Sequence, residues 1–180
     1  LDKEQQDYLL QLARRSIREK LAGGRIAAPE PPAWDAMRQH CGAFVTLKTQ
    51  GRLRGCIGNI SSTEPLYRTI GEMAVAAATH DPRFPPMAPD ELDGAHIEIS
   101  VLTPLEKVDR PEEIHVGVHG LLIRKGRMSG LLLPQVPVEW NWDRETFLEH
   151  TCRKAGLPPN AWKEPDTEIF RFSADVFGEE

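Results

Sequence analysis

Residues 42–58 read Gly-Ala-Phe-Val-Thr-Leu-Lys-Thr-Gln-Gly-Arg-Leu-Arg-Gly-Cys-Ile-Gly. Residues 42–48 alternate and carry β-branched and aromatic side chains, which predicts a strand. Thr49, Gln50 and Gly51 supply a tight turn, and residues 52–58 form a second strand running back along the first. A hairpin at this point commits the chain to antiparallel pairing. The rest of the sequence agrees. Leu9, Leu12, Ala13, Ile17 and Leu21 recur at helical spacing behind Asp2, a capping residue, and predict a helix over residues 2–21. Thr63 is expected to cap a second helix with Pro65 in its first turn, ending near residue 79. Residues 81–90 hold four prolines and read as an ordered surface loop. A β-branched strand follows over 95–102, stopped by Pro104. Residues 111–120 are loop-like. A hairpin crosses Lys125 and Gly126 and ends at Pro134 and Pro137. Asp143 caps a helix over 144–155, and a last strand covers 168–172. Hairpins dominate and no strand–helix–strand repeat appears. The expected fold class is therefore α+β, a mainly antiparallel sheet with flanking helices, in one domain spanning residues 1–180.

Strand periodicity also singles out the residue for chemistry. Side chains alternate between faces. In residues 52–58, Leu53 and Ile57 point to the core with Gly55 between them. Arg52, Arg54 and Cys56 then share the polar face. Positions two apart lie roughly 6.5–7 Å from each other at Cα, so Arg54 is expected to favour the Cys56 thiolate. The competing reading of any free cysteine is a small core filler. Cys152 fits that reading, because its helical face carries Phe147, Leu148 and Ala155. Cys41 stands beside His40, but adjacent strand side chains diverge.

In residues 96–102, His96, Glu98 and Ser100 oppose Ile97, Ile99 and Val101. Glu98 reads either as a base or orienting carboxylate or as part of a solvated face. Asp81 before Pro82 is a turn former that displays Arg83, which either contacts an anion or closes the end of a helix. His115 and His119 are four apart, but Gly117 and Gly120 interrupt any helix. His119 is the better candidate as a lone general acid or base. Trp140 and Trp142 either pack under the last helix or form an aromatic wall.

Composition narrows the function classes. The 180 residues carry a net charge of −5, against the basic balance of nucleic-acid binders. Three cysteines are too few and too uneven for a disulfide framework and point to a reducing compartment, the cytoplasm. No apolar run approaches a membrane span. There is no Walker loop, dinucleotide fingerprint, Gly-x-Ser-x-Gly elbow or His-Glu-x-x-His, so no cofactor and no metal are expected.

Several segments taken together resemble the AmmeMemoRadiSam system protein A family, relatives of the product of a human gene from a contiguous-deletion syndrome with Alport features. They are Gly-Ala-Phe-Val-Thr-Leu (42–47), Leu-Arg-Gly-Cys-Ile-Gly (53–58), Asp-Pro-Arg-Phe-Pro-Pro (81–86) and Glu-Ile-Ser-Val-Leu-Thr-Pro (98–104). Further along come His-Gly-Leu (119–121), Gly-Leu-Leu-Leu-Pro-Gln-Val (130–136) and Lys-Ala-Gly-Leu-Pro (154–158). The one departure is Pro137, where relatives often carry a small residue. The resemblance implies a compact α+β fold with a larger and a smaller part. It also implies two partners, a Memo-like protein related to extradiol ring-cleaving dioxygenases and a radical S-adenosylmethionine protein. It carries no established reaction. The combined expectation is a cysteine-dependent enzyme or catalytic component acting on a small anionic substrate. Cys56 is its thiolate, Glu98 and His119 are proton-transfer partners, and Arg54, Arg83 and Gln135 tune the thiol or bind substrate. The alternative is a non-catalytic module that docks on the two partners.

Overall fold

The computed structural model describes all 180 residues, Leu1–Glu180. They fold into two compact units, Leu1–Leu102 with Asp175–Glu180, and Thr103–Ala174. The α+β class with antiparallel pairing holds in both. The pairing is divided between two four-stranded sheets.

In the first unit, α1 (Lys3–Leu21) starts at Asp2. The Asp2 carboxylate accepts the Gln5 N–H at 2.9 Å and the Gln5 side chain accepts the Asp2 N–H at 3.1 Å, which satisfies two donors that an uncapped helix leaves bare. Its apolar stripe, Leu9, Leu12, Ala13 and Ile17, is fully or almost fully buried. Next come β1 (Ala43–Thr49) and β2 (Arg52–Asn59). The turn between them is two residues, not three. Gln50 and Gly51 both have positive φ, 52° and 74°, the geometry whose twist suits a hairpin. The second helix, α2 (Leu66–Thr79), begins with Pro65 at its N-cap and no side-chain cap. Thr63 does not cap it; Ser62 instead closes a local turn by accepting the Glu64 N–H. β3 (Ala95–Leu102) completes the centre of the sheet, whose order is β2-β1-β3-β8. β1 pairs antiparallel with both β2 and β3. Val45, Leu47, Ile97 and Ile99 join α1 and α2 in one core.

The second unit holds β4 (Glu106–Lys107), β5 (Gly120–Lys125), β6 (Met128–Leu132), α3 (Gln135–Glu139), α4 (Arg144–Lys154) and β7 (Glu168–Phe172), with sheet order β4-β7-β5-β6. The short helix α3 stands where Pro134 and Pro137 read as a stop. Both prolines fall at the start of the helix, where the first N–H groups have no intrahelical partner to lose. Asp143 caps α4 by accepting the Thr146 N–H at 2.8 Å. Leu121, Ile123, Phe147, Leu148 and Cys152 form the core of this unit. β8 (Ala174–Gly178), not foreseen in the sequence, takes the chain back beside β3.

Candidate functional site around Cys56

The outer face of the first sheet is built by register. Thr46 lies opposite Cys56 on β2 and opposite Glu98 on β3. Directly opposed residues share a face, so Cys56, Thr46 and Glu98 form a row across three strands. Cys56 Sγ lies 3.2 Å from Thr46 Oγ1. The Cys56 N–H points away from β1, which makes Thr46 and Cys56 the closer, non-hydrogen-bonded kind of pair. Lys48, two residues on from Thr46, holds the Glu98 carboxylate at 3.0 Å.

β2 is an edge strand, and its outward backbone groups need partners. Asp81 and Arg83 provide them at Cys56. Asp81 Oδ2 accepts the Cys56 N–H at 2.9 Å, and Arg83 Nη2 donates to the Cys56 carbonyl at 3.4 Å. The two side chains also grip each other, with Arg83 Nε at 3.0 Å and Nη2 at 2.8 Å from the carboxylate. Asp81 is buried, while the Arg83 side chain is 55% exposed. The Arg83 guanidinium outweighs the cost of burial and, with the Cys56 and Arg83 N–H groups, holds the Asp81 carboxyl well below the usual carboxylate range.

Two readings of this strand need correction. A β-bulge interrupts the pairing, so that Leu47 faces Gly55 but Lys48 faces Leu53. Arg54 is the extra residue, and the parity of the strand changes across it. Leu53 is therefore not in the core: it stands opposite Lys48 and is 41% exposed. Ile57 and Gly55 keep their inward direction, and a Cβ on Gly55 would sit 2.1 Å from the Ala77 carbonyl oxygen of α2. Arg54 is directed elsewhere as well. Its guanidinium bonds the Glu91 carboxylate at 3.2 and 3.3 Å and the Pro85 carbonyl at 2.9 Å. The guanidinium bonded to the Cys56 backbone is that of Arg83.

Arg54, Cys56, Arg83 and Glu98 thus belong to the first unit, whereas His119 and Gln135 belong to the second. His119 Nδ1 accepts the His115 N–H at 3.0 Å, which leaves the proton of the neutral ring on Nε2. Burial, then Arg171 and His115, push its pKa below the ordinary histidine value. Gln135 opens α3, and its Oε1 is buried without a hydrogen-bond partner. No group of three or more His, Cys, Asp or Glu side chains is arranged to hold a metal ion. Cys152 is fully buried and Cys41 partly so, and burial pushes both thiols up.

Thr46, Lys48 and Asp81 were not candidates on sequence. Matching the alternation of residues 43–49 against that of 95–102 would have paired Thr46 with Glu98, given the register. Asp81 carried only a turn signal.

Residues 10–177 match the AMMECR1 family. The chain belongs to that family. A Thermococcus gammatolerans member is 48% identical over 188 residues, covering 97% of this chain and 90% of its own. A protein of Methanothermobacter thermautotrophicus is 46% identical over 186 residues, covering 100% of this chain and 97% of its own. The crystal structure of protein PH0010 from Pyrococcus horikoshii superposes with a TM-score of 0.93 at 44% identity, covering 100% of this chain and 94% of that one. No helix of this AMMECR1 chain is long and apolar enough to cross a membrane.

Proposed function

We propose that this AMMECR1-family chain is a cysteine-dependent enzyme, or a catalytic component, acting on a small anionic substrate with Cys56 as nucleophile. The observation that carries the reading is the 3.2 Å contact of Cys56 Sγ with Thr46 Oγ1, in a row that ends at Glu98. A thiol nucleophile needs a proton acceptor, a fixed direction and access. Thr46 orients the sulfur, and Glu98, opposed to Thr46 on β3 and steadied by Lys48, is the carboxylate assigned to take the thiol proton. The sulfur lone pair then bonds to an electrophilic centre of the substrate, whose leaving group departs with its electron pair. Arg83 is fixed on one side by Asp81 and open to solvent on the other, and it receives the negative charge. His119 and Gln135, on the other unit, are given no step. As a component of the AmmeMemoRadiSam system the protein works in the cytoplasm with a Memo-like protein and a radical S-adenosylmethionine protein. That part of the reading rests on sequence resemblance.

Limiting iodoacetamide followed by mass spectrometry tests the nucleophile. Cys56 is expected to carry the label ahead of Cys41 and Cys152. Preferential labelling of Cys152 in the folded protein would overturn the proposal.

A further inference from the structure

The outer face of the first sheet carries an aromatic ring beside the thiol. Phe44 of β1 lies opposite Gly58 of β2 and Ser100 of β3. Side chains two residues apart on a strand share a face, so Phe44 stands on the same face as Thr46, the residue opposed to Cys56. That makes Phe44 the diagonal neighbour of Cys56. Diagonal neighbours sit roughly 7–8 Å apart, within reach of an aromatic side chain.

The ring leans toward the strand of the cysteine. A Cβ on Gly58 would lie 2.4 Å from Phe44 Cγ and 2.5 Å from its Cδ1, and 2.4 Å from the Ala43 carbonyl oxygen. Gly58 is not among the glycines with positive φ, so its backbone conformation does not call for glycine. Its missing side chain instead leaves room for the ring and for the β1 backbone. Gly58 is two residues beyond Cys56, and a ring resting on it stands next to the Cys56 side chain.

The cores do not account for this ring. The core under the sheet takes Val45 and Leu47, which point to the other face, and Phe44 belongs to neither core cluster. It is half-buried. The residues opposed to it offer no apolar side chain, since Gly58 has none and the buried Ser100 brings a hydroxyl. Apolar surface set beside a few fixed polar groups is the usual make-up of a small-molecule site. Arg83 reaches the Cys56 carbonyl from the open edge of β2, whereas Phe44 comes from β1 on the opposite side. Cys56 thus stands between a cation and an aromatic ring.

We propose that Phe44 is a specificity-determining residue of the Cys56 site, and that the substrate is an anion carrying an aromatic group. The Phe44 ring packs on the substrate ring, Arg83 takes the negative charge, and the electrophilic centre lies between them at the sulfur. This inference rests on the reading of Cys56 as nucleophile.

The test uses the whole chain and two neutral alkylating reagents, iodoacetamide and N-benzyl-iodoacetamide. Mass spectrometry follows the label on Cys56, and the benzyl-to-parent rate ratio is compared with that of free N-acetylcysteine. The wild-type ratio should exceed the free-thiol ratio. Phe44→Leu should lower it at least about threefold, as for the loss of one aromatic pair, and Phe44→Tyr should keep it. Because both rates are read at one sulfur, a general change in thiol reactivity cancels, and an unlabelled Cys152 in the same spectra shows that each variant is folded. A second measurement needs no variant: phenylacetate should slow labelling of wild-type Cys56 by iodoacetamide at concentrations where acetate does not. An equal ratio in wild type and Phe44→Leu, or equal protection by the two carboxylates, would overturn the role of Phe44 and leave the nucleophile standing. Labelling of Cys152 ahead of Cys56 by both reagents would remove the nucleophile and this inference with it.

Discussion

Four donors converge on Asp81: the N–H of Cys56, and the N–H, Nε and Nη2 of Arg83. Asp81→Asn keeps the shape but turns a donor toward donors, and is expected to cost about 2 kcal/mol at neutral pH. The pH dependence has a definite sign. The folded-state pKa of Asp81 lies below its unfolded value of about 3.9, so its contribution is complete above that pH and fades as pH falls toward the folded value. Urea melts should therefore show a constant gap between wild type and Asp81→Asn from about pH 5 to 8, narrowing below about pH 4. A gap that widened on acidification would refute the assignment. For the thiols, Cys56→Ser should shift stability by no more than about 0.5 kcal/mol, while Cys152→Ser places a hydroxyl in the core and should cost about 1–3 kcal/mol. A larger fall in melting temperature for Cys56→Ser would mean that Cys56 is a packing residue. The anion preference can be read directly. Replacing iodoacetamide by iodoacetate should speed alkylation of Cys56 in wild type, and Arg83→Gln should lower that ratio about threefold or more, as expected for the loss of one nearby charge. An unchanged ratio would remove Arg83 from substrate binding.

At the scale of elements, the hairpin β1–β2 depends on two glycines for different reasons. Gly55 allows α2 to lie against the sheet, and the Cβ of Gly55→Ala would meet the Ala77 carbonyl oxygen at 2.1 Å. Backbone cannot swing away as a flexible side chain can, so strand or helix must shift, at about 3 kcal/mol. Gly51 has open space around it but φ of 74°, so Gly51→Ala should cost about 1 kcal/mol through strain alone. Chemical denaturation of the two variants should separate them in that order. The reverse order would mean that α2 does not lie against the sheet at Gly55. The bulge at Arg54 acts at the same scale. It sends the Arg54 guanidinium to Glu91 and Pro85, while Cys56 remains opposite Thr46.

For the whole molecule, the second unit is an insertion in the sequence of the first, between β3 and β8. The returning segment is held by Glu179, whose carboxylate takes Arg14 Nε and Nη2 at 2.6 Å each and the Ile97 N–H at 2.9 Å. Burial pushes the Glu179 pKa up, but Arg14 and the Ile97 N–H outweigh it and leave the group below its ordinary value. Both side chains are 22% exposed. Arg14→Met and Glu179→Ala should each cost about 2 kcal/mol. The double variant should cost at least about 1 kcal/mol less than their sum, because contacting residues couple. Additive losses would show that the pair does not hold the segment.

The sequence by itself determined the elements whose causes are local. The α1 stripe behind its Asp2 cap, the antiparallel hairpin at 43–59, the β3 alternation and the buried face of Cys152 follow from periodicities and caps that need no distant partner. The placement of Cys56 with Arg83 and Glu98 on one unit, and of His119 and Gln135 on the other, was not legible, because it depends on which segments share a sheet. The outward turn of Leu53 and the engagement of Arg54 by Glu91 follow from a bulge, which inserts one residue without changing the composition of the strand. β8 escaped notice because a short strand draws its stability from the edge it joins. Thr46 and Asp81 acquired their roles from tertiary structure alone, since cross-strand register and a buried backbone donor exist only once the chain has folded.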